Sequence, residues 1–229
     1  MYSDTIKHVF FDLDHTLWDF DRNSLLAYQQ IFKEKNITLS VEDFLNVYAP
    51  INQKYWKLYR EEKVDSISLR RGRLQETFAA FSMDFSLTII DEIADLYIAY
   101  LPNNNYLLDG ALELLEYLEP KYELHIITNG FKEVQAKKLK KAQIAHFFKT
   151  VTDSDAVGVK KPNQRIFEHA LTVANAQYTE SLMIGDNFEA DILGASALGL
   201  KTICYNYHKV IIPKVFLQVS DLSEIKYYL

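Results

Sequence analysis

The chain has 229 residues, of which 48% are hydrophobic and 24% charged, a composition that predicts one large or two modest folded domains rather than disorder. Its net charge is −6 and it has no long basic run, which argues against a nucleic-acid polymer as a partner because phosphate backbones require a positive surface. Cys204 is the single cysteine, and no segment has the length and apolarity of a signal peptide or a membrane span. We therefore expect a cytoplasmic protein without an intramolecular disulfide or a membrane contact.

The first predicted element is a strand that ends in two carboxylates. Val9-Phe10-Phe11 reads as a strand buried on both faces, and Asp12 and Asp14 follow it directly. Unpaired carboxylates at the end of a buried strand are costly to desolvate, and two of them repel each other unless a cation lies nearby. The pair therefore indicates a divalent metal ligand, a nucleophile, an acid/base group or a combination of these.

Between residues 20 and 102 the pattern becomes helical, with almost no glycine. Apolar residues at helical spacing predict four helices, and Ser40 with Asp43 resembles a capping box that opens the second one. Short connections predict a helical bundle inserted into the chain. The four helices are expected at about 24–36, 41–59, 68–81 and 88–100.

From residue 108 onward, helices alternate with strands, which predicts a parallel sheet with right-handed crossovers. We expect Asp109 to cap the first of these helices, Pro162 to open a later one, and the strand 201–205 to be the last. Helix 131–142 carries a basic face that we expect to be solvated. Its lysines are Lys132, Lys137, Lys138, Lys140 and Lys141. The predicted helices are 110–119, 131–142, one from 162, and 189–198, and the strands are 123–127, 147–152, 181–184 and 201–205.

Polar residues follow the ends of several predicted strands. Because the carboxyl ends of parallel strands share one edge of a sheet, we expect these residues to converge on one site. They are Asp12, Asp14, Thr128, Lys161, Asp186 and Asp191.

Their order along the chain resembles the haloacid dehalogenase superfamily over essentially its whole length. Asp12-Leu13-Asp14-His15-Thr16 matches the first motif of that family, Thr128 the second, and Gly185-Asp186 with Asp191 the fourth. The third motif is matched by Ser154, Gly158, Lys161 and Pro162. The resemblance implies an α/β fold, with a Rossmann-like parallel sheet core from residues 1–19 and 103–229 and an inserted helical-bundle cap from 20–102.

Shorter strings are similar to the bacterial pyrimidine 5′-nucleotidase branch, a group of noncanonical nucleoside monophosphate phosphatases. The strings are Thr128-Asn129-Gly130-Phe131, Gly158-Val159-Lys160-Lys161-Pro162-Asn163, Asp19-Phe20-Asp21 and Gly72-Arg73. This narrower resemblance implies a Mg²⁺-dependent phosphomonoester hydrolase that acts on nucleoside 5′-monophosphates.

The resemblance also implies roles for individual residues. Asp12 would be the nucleophile that forms a phosphoaspartate, and Asp14 the acid/base that protonates the leaving group and then activates water. The Thr128 hydroxyl, the Asn129 backbone N–H and the Lys161 ammonium would bind the phosphate.

The metal ligands implied by the resemblance are Asp12, Asp186 and the backbone carbonyl of Asp14, all oxygen donors that suit Mg²⁺. Asp191 would orient Lys161 or a metal-bound water, or would alternatively only stabilise the first turn of its helix. Substrate choice is expected to lie in the cap, where Asn52 and Arg73 are candidate substrate-binding residues.

Several alternatives stay open at this stage. A sugar-phosphate or phosphoglycolate-type phosphatase and a phosphomutase would use the same core residues, and a binding protein could retain a degenerate scaffold. A dehalogenase is disfavoured, because a halide leaves as a stable anion and needs neither Asp14 nor a metal. The partner is expected to be a small phosphorylated metabolite, and the protein a monomer or homodimer.

Overall fold

The computed structural model describes residues 5–229, so residues 1–4 of the predicted core lie outside the described part. The chain divides into two compact units, one formed by Met1–Phe20 with Asn105–Leu229 and the other by Asp21–Asn104. The first unit contains the sheet, and the second is helical. No helix among residues 5–229 combines the length and apolarity that crossing a bilayer requires.

The sheet has six parallel strands in the order β3-β2-β1-β4-β5-β6, which confirms the predicted α/β class with a parallel sheet. Val9, Phe10 and Phe11 in the central strand β1 are fully buried, as expected for a strand covered on both faces. The chain builds outward through β2 and β3 and then crosses to the other side of β1, where β4 begins. Such a reversal of strand order is where open α/β sheets bind ligands. The strands are β1 His8–Phe11, β2 Glu123–Thr128, β3 Phe148–Asp153, β4 Ser181–Gly185, β5 Lys201–Tyr205 and β6 Gln218–Val219.

The short helix Ser154–Val157 was not predicted. The other helices before residue 188 lie within four residues of their predicted boundaries. Short 3₁₀ segments occupy Leu101–Asn103, Ala145–Phe147, Tyr178–Glu180 and Leu222–Tyr227. The helices are α1 Phe20–Glu34, α2 Val41–Arg60, α3 Ser66–Ala80, α4 Leu87–Tyr100, α5 Ala111–Leu118, α6 Lys132–Lys141, α7 Ser154–Val157, α8 Gln164–Val173 and α9 Gly194–Ser196.

Three boundaries differ from the sequence prediction for identifiable reasons. Gly110, not Asp109, is the N-cap of α5, because the chain enters that helix through a left-handed residue at φ 78°, a conformation that glycine adopts without steric cost. Asn163 caps α8 through its side chain, so Pro162 precedes the helix instead of opening it. The strand 201–205 is not the last, since the short β6 pairs with it.

The predicted helix 189–198 is also different. A π-helix spans Phe188–Leu193 and leads directly into α9. Asn187 caps it by accepting a hydrogen bond from the Ala190 backbone N–H at 2.9 Å. A π-turn shifts the side chains that follow relative to an α-helix and is often found at functional sites. It sets the position of Asp191.

The helical unit has an aromatic core of its own. Tyr28 stacks on Tyr97 with ring centroids 4.6 Å apart, and Phe44 packs against Tyr28, Tyr48 and Phe78. The Ser40 side chain accepts a hydrogen bond from the Asp43 backbone N–H at 3.2 Å, so Ser40 caps α2 as predicted. Large aromatic rings at helical spacing therefore pack this unit internally.

Candidate active site

Three adjacent strands carry polar residues to one edge of the sheet. Asp12 follows β1, Thr128 ends β2, and Asp186 follows β4. The Asp12 backbone N–H donates to the Ile184 carbonyl at 2.9 Å, which continues the β1–β4 pairing past the end of the strand. All three side chains are buried. The predicted convergence at the carboxyl ends of β1, β2 and β4 is thus present in the structure.

Lys161 is the buried cation at the centre of this edge. Its ammonium nitrogen lies 2.6 Å from Asp12 Oδ1 and 2.7 Å from Asp191 Oδ1, and it donates to the Ile127 carbonyl at 2.7 Å. The contacts with Asp12 and Ile127 are hydrogen bonds, and the contact with Asp191 is an ion pair. Burial alone would lower the pKa of Lys161, but Asp12 and Asp191 more than offset this effect, so the pKa lies above its ordinary value. Lys161 is therefore held as a charged group.

The Asn129 side chain fixes the backbone that carries Lys161. Asn129 Oδ1 accepts from the Lys161 backbone N–H at 2.8 Å, and Asn129 Nδ2 donates to the Lys161 carbonyl at 3.0 Å. Both polar atoms of the Asn129 amide therefore bond to the backbone of Lys161, and they connect the carboxyl end of β2 to the loop that carries Lys161. Its predicted contact with phosphate would come from the backbone N–H and stays a prediction.

Asp12, Asp186 and Asp191 form a buried acidic cluster in which one carboxylate oxygen of each residue lies within 4.8 Å of one oxygen of the other two. Burial raises the pKa of Asp12 to about 8 against the opposing effect of Lys161, and repulsion from Asp191 and Asp186 adds to the increase. Burial likewise raises the pKa of Asp191, again against Lys161. One lysine cannot neutralise three carboxylates, so a divalent cation would keep Asp12 ionised at neutral pH.

The donor set of this cluster suits a hard divalent cation. All its side-chain donors are carboxylate oxygens, which Mg²⁺ prefers over nitrogen or sulfur. Asp12 and Asp186 were predicted as ligands. The Asp14 carboxylate lies outside the cluster. Asp14 was predicted to bind the metal through its backbone carbonyl, and that role stays a prediction. The residues present therefore fit Mg²⁺.

Asn187 bonds to the Asp191 carboxylate, and Gly185 leaves the space that this carboxylate occupies. Asp191 Oδ2 accepts from the Asn187 backbone N–H at 3.0 Å, while its Oδ1 pairs with Lys161. A Cβ atom on Gly185 would lie only 2.3 Å from Asp191 Oδ2, so no side chain fits at position 185 unless Asp191 moves. The Gly-Asp pair at the end of β4 is thus a packing requirement of the site.

The Asp14 carboxylate is held by two side chains of α6 that sequence reasoning did not assign to the site. Lys138 Nζ donates to Asp14 Oδ1 at 2.6 Å, and Gln135 Nε2 donates to Asp14 Oδ2 at 2.9 Å. Lys138 is only 2% exposed, so the expectation that this basic face is solvated is wrong for Lys138. Its ammonium lies over the Trp18 ring, 4.2 Å from the centroid.

Burial also explains the electrostatics of Lys138. It lowers the pKa of the ammonium, while the charge of Asp14 acts in the opposite direction. A signal for this residue exists in the sequence. Val134, Gln135, Lys138 and Leu139 form the helical stripe i, i+1, i+4, i+5, which is the buried face of α6. The two apolar members mark the face on which the two polar members lie.

Gln135 connects Asp14 to Thr128. Its Nε2 donates to Thr128 Oγ1 at 2.7 Å, and the Gly130 backbone N–H donates to the same oxygen at 3.1 Å. In both contacts the hydroxyl oxygen is the acceptor, so the hydroxyl group can still donate its own hydrogen; the predicted contact of Thr128 with phosphate stays a prediction. A Cβ atom on Gly130 would lie 2.3 Å from Gln135 Nε2, which explains why glycine follows Thr128-Asn129.

Asp186 has two further neighbours. Thr16 Oγ1 donates to Asp186 Oδ1 at 3.2 Å, and His208 Nε2 lies 3.1 Å from Asp186 Oδ2. His208 follows β5 and is another residue that sequence reasoning missed, since no motif or periodicity marks its loop.

Asn52 and Arg73 lie within the helical unit and contact each other. Arg73 Nη1 donates to Asn52 Oδ1 at 2.8 Å, and both side chains are buried. The guanidinium also lies over the rings of Tyr48 and Tyr97, with 5.7 and 5.2 Å to the centroids. These contacts tie α2, α3 and α4 together. Substrate binding by Asn52 and Arg73 stays a prediction.

Comparison with known proteins identifies relatives over most of the chain. A family model described as haloacid dehalogenase-like hydrolase matches residues 6–199. The pyrimidine 5′-nucleotidase YjjG of Escherichia coli is 32% identical over 204 residues, which cover 87% of this chain and 86% of that protein. A glyceraldehyde 3-phosphate phosphatase of Pyrococcus abyssi is 31% identical over 89% of this chain and 83% of its own length.

Among solved structures, the fold matches the putative hydrolase YfnB of Bacillus subtilis, which was crystallised bound to magnesium. The TM-score is 0.89 at 28% identity, and the match covers 98% of both chains.

Proposed function

The chain belongs to the haloacid dehalogenase-like hydrolases, and we propose that it hydrolyses nucleoside 5′-monophosphates in a Mg²⁺-dependent reaction through a phosphoaspartate on Asp12. Two phosphatases are similar to it over most of its length. The observation that carries this proposal is the environment of Asp12. Its carboxylate lies 2.6 Å from Lys161 Nζ and within 4.8 Å of Asp186 and Asp191. A buried carboxylate beside one ammonium and two further carboxylates is suited to act as a nucleophile next to a cation.

In the proposed first step, an Asp12 oxygen forms a bond to phosphorus while the bond from phosphorus to the ester oxygen breaks. Asp14 gives a proton to the departing alkoxide, which leaves as the alcohol. In the second step Asp14 takes a proton from water, the water oxygen bonds to phosphorus, and the Asp12–phosphorus bond breaks to release phosphate.

The other residues of the site would stabilise charge. The Thr128 hydroxyl, the Asn129 backbone N–H and Lys161 would donate to the phosphoryl oxygens, whose charge is spread over three positions in the transition state. Asp12, Asp186 and the Asp14 carbonyl would hold Mg²⁺, which would supply positive charge beside the phosphoryl group. Lys138 and Gln135 would keep the Asp14 carboxylate oriented.

The nucleotide class is supported by the likeness to YjjG. The likeness to a glyceraldehyde 3-phosphate phosphatase, at nearly the same identity, favours a sugar-phosphate phosphatase as the second candidate. Both candidates use the same core residues, so the substrate must be decided by measurement.

We further propose a cytoplasmic location, because Cys204 is the single cysteine of the chain and is a buried free thiol, which suits a reducing compartment.

Phosphate release by the purified protein tests the proposal. We expect release from dUMP and dTMP with Mg²⁺, complete loss with EDTA, and loss of at least ~10³-fold in kcat for Asp12→Asn, the nucleophile variant. Asp109→Asn, an exposed residue with the same change of charge, is the control and should retain wild-type turnover. Borohydride reduction during turnover should convert residue 12 to homoserine, which mass spectrometry would locate.

The outcomes separate the candidates. A kcat/KM at least tenfold higher for glyceraldehyde 3-phosphate than for any nucleotide would favour the second candidate, as judged from differential transition-state binding. Isomerised phosphate without release would indicate a mutase. Wild-type turnover in Asp12→Asn would overturn the assigned nucleophile, and no turnover of any ester with Mg²⁺ would indicate a binding protein.

A further inference from the structure

A second group of potential metal ligands lies at the other end of β1 and β2, and it shares no residue with the proposed reaction. His8 begins β1, and Glu123 and His125 lie on the neighbouring strand β2. Asp12 follows β1 four residues after His8, so the strand separates the two places by about 13 Å. His125 is fully buried, His8 is nearly so, and the Glu123 side chain is 56% exposed.

The distances in this group match those between ligands of one small cation. His8 Nδ1 lies 3.2 Å from His125 Nε2 and 3.6 Å from Glu123 Oε2, and one ligand atom from each residue falls within 4.8 Å of the others. Ligands at about 2.0–2.1 Å from a tetrahedral zinc ion are about 3.3 Å apart. The separations of 3.2 and 3.6 Å therefore lie just below and just above the ligand–ligand distance expected around such an ion.

The His125 ring is prepared to present Nε2 to this space. Its Nδ1 lies 2.9 Å from Thr150 Oγ1 on β3, and its ring stacks on Phe10 with centroids 4.6 Å apart. With the hydrogen on Nδ1 donated to Thr150, the lone pair of Nε2 faces His8. A hydrogen bond to the second ring nitrogen is the usual way in which proteins orient a metal-binding histidine.

The ring is also uncharged at neutral pH. Burial lowers the pKa of His125 to about 4, and the charges of His8 and Lys149 act in the same direction. A neutral imidazole is the form that binds metal. The charge of Lys149 opposes a bound cation, and the carboxylate of Glu123 compensates for it.

We propose that His8, Glu123 and His125 form a binding site for a divalent transition metal of the zinc class, with water completing the coordination. Two imidazoles and one carboxylate select Zn²⁺ or Co²⁺ over Mg²⁺, which prefers oxygen ligands alone. A bound ion would connect β1 to β2 at the amino ends of these strands, the ends remote from Asp12. The competing interpretation is a hydrogen-bonded histidine pair that binds no metal.

Titration with Co²⁺ in the presence of millimolar Mg²⁺ decides between these interpretations, because Co²⁺ in a four-coordinate site absorbs visible light and Mg²⁺ occupies carboxylate sites. We expect one equivalent of Co²⁺ to bind with visible absorption bands. Glu123→Gln and His125→Gln should each weaken Co²⁺ binding by ~10-fold or more. Zn²⁺ should raise the unfolding temperature of the wild type more than that of Glu123→Gln at the same Zn²⁺ concentration.

Two variants serve as controls. His169→Gln removes an exposed histidine of α8, and His208→Gln removes the histidine that contacts Asp186. Both should keep the Co²⁺ bands. Bands that survive in Glu123→Gln and disappear in His208→Gln would place the ion beside Asp186 and overturn the proposal, as would the absence of bands in the wild type. Because Glu123 is exposed, its variant remains informative even if His125→Gln does not fold. Phosphatase activity is not part of this readout, so failure of the proposed function would leave the result unaffected.

Discussion

Two buried lysines flank the two carboxylates of the first motif, and they have different surroundings. Lys161 contacts Asp12 and Asp191, whereas Lys138 contacts Asp14 alone and lies over the Trp18 ring. An ammonium with one carboxylate partner acts mainly on the orientation of that partner. We therefore regard Lys138 as a positioning residue for the proposed acid/base.

Replacement of Lys138 by methionine tests this role. Lys138→Met should lower kcat on dUMP by ~10–100-fold, because Asp14 loses the contact that orients it for proton transfer. The loss should be smaller on p-nitrophenyl phosphate, since its leaving group is weakly basic and needs little proton donation. Steady-state kinetics on both esters measure the difference.

Lys137→Met is the matched control, because Lys137 is exposed on the same helix and should have no effect. Equal losses on both esters would show that Lys138 does not act through Asp14. A higher KM with unchanged kcat would assign it to substrate binding instead.

Gly185 permits a second test at the level of single residues. In Gly185→Ala the new methyl group would meet Asp191 Oδ2 at 2.3 Å, so Asp191 must withdraw from Lys161. We expect kcat to fall and the Mg²⁺ concentration for half-maximal activity to rise, both by ~10-fold, the effect typical of disturbing a neighbour of a metal ligand.

A double-mutant cycle isolates the cause. If Gly185 matters only because of Asp191, Gly185→Ala should have almost no effect in an Asp191→Gly background, since this removes the Asp191 Oδ2, Cγ and Cβ atoms that would lie 2.3, 2.5 and 2.7 Å from the new methyl group. Additive losses in the double variant would contradict the packing argument and would assign Gly185 a role of its own in the β4 turn.

The sequence indicated which residues converge but not how each one is held. Asp12, Thr128 and Asp186 each follow an apolar run, and the rule for parallel strands is enough to bring them together. The helical stripe of α6 marks Lys138 as lying on the buried face, but it does not indicate which residue Lys138 contacts. The contact of Lys138 with Asp14 spans 124 residues, and a long-range contact of this kind is not encoded in local periodicity.

At the scale of elements, strands and helices with strong apolar periodicity were predictable, and their exceptions depend on tertiary structure. Gly110 replaces Asp109 as a cap because the chain must turn through a left-handed residue there. The strand β6 has two residues, of which one is exposed, so it lacks any apolar run. The π-helix at 188–193 follows the same sequence rules as an α-helix, and its extra residue per turn cannot be recognised from spacing.

Arg73 gives a test at the level of the helical unit. Its guanidinium bonds to Asn52 and lies over Tyr48 and Tyr97, so it connects three helices. Arg73→Met should lower the free energy of unfolding by about 1–3 kcal/mol, because Asn52 loses a buried partner and the cation–π contacts are lost. Denaturant unfolding measures this change.

Arg71→Met is the control, since Arg71 pairs with Asp91 at a partly exposed position where an ion pair contributes about 1 kcal/mol or less. The same pair of variants tests the predicted role of Arg73 in binding. A higher KM for nucleotides with unchanged stability would support substrate binding by Arg73, and unchanged KM with reduced stability would restrict Arg73 to packing.

At the scale of the whole molecule, the sheet unit places its buried ionisable groups at both ends of its central strands. At one end three buried carboxylates lie beside a single ammonium, and burial raises the pKa of Asp12. At the other end His125 is buried next to His8 and Glu123 and faces the charge of Lys149. Buried groups whose pKa values differ between the folded and unfolded states make the stability of the fold depend on pH.

His125 sets the sign of this dependence on the acidic side. Its pKa is about 4 in the folded protein and 6.5 ordinarily, so between these values the unfolded chain binds a proton that the folded protein does not. The free energy of unfolding therefore has its full value with respect to His125 above pH 6.5 and decreases as the pH falls towards 4, by roughly 3 kcal/mol at most.

Urea unfolding tests this dependence, with EDTA present to remove any bound metal. The free energy of unfolding of His125→Gln should change less with pH over this range than that of the wild type. His169→Gln, in which an exposed ring is removed, should keep the wild-type slope. If His125→Gln kept that slope as well, the acid sensitivity would come from groups other than His125, Asp12 and Asp191, because the raised pKa values of the two carboxylates stabilise the fold as the pH falls. The buried ring would then not be the group that couples protonation to unfolding.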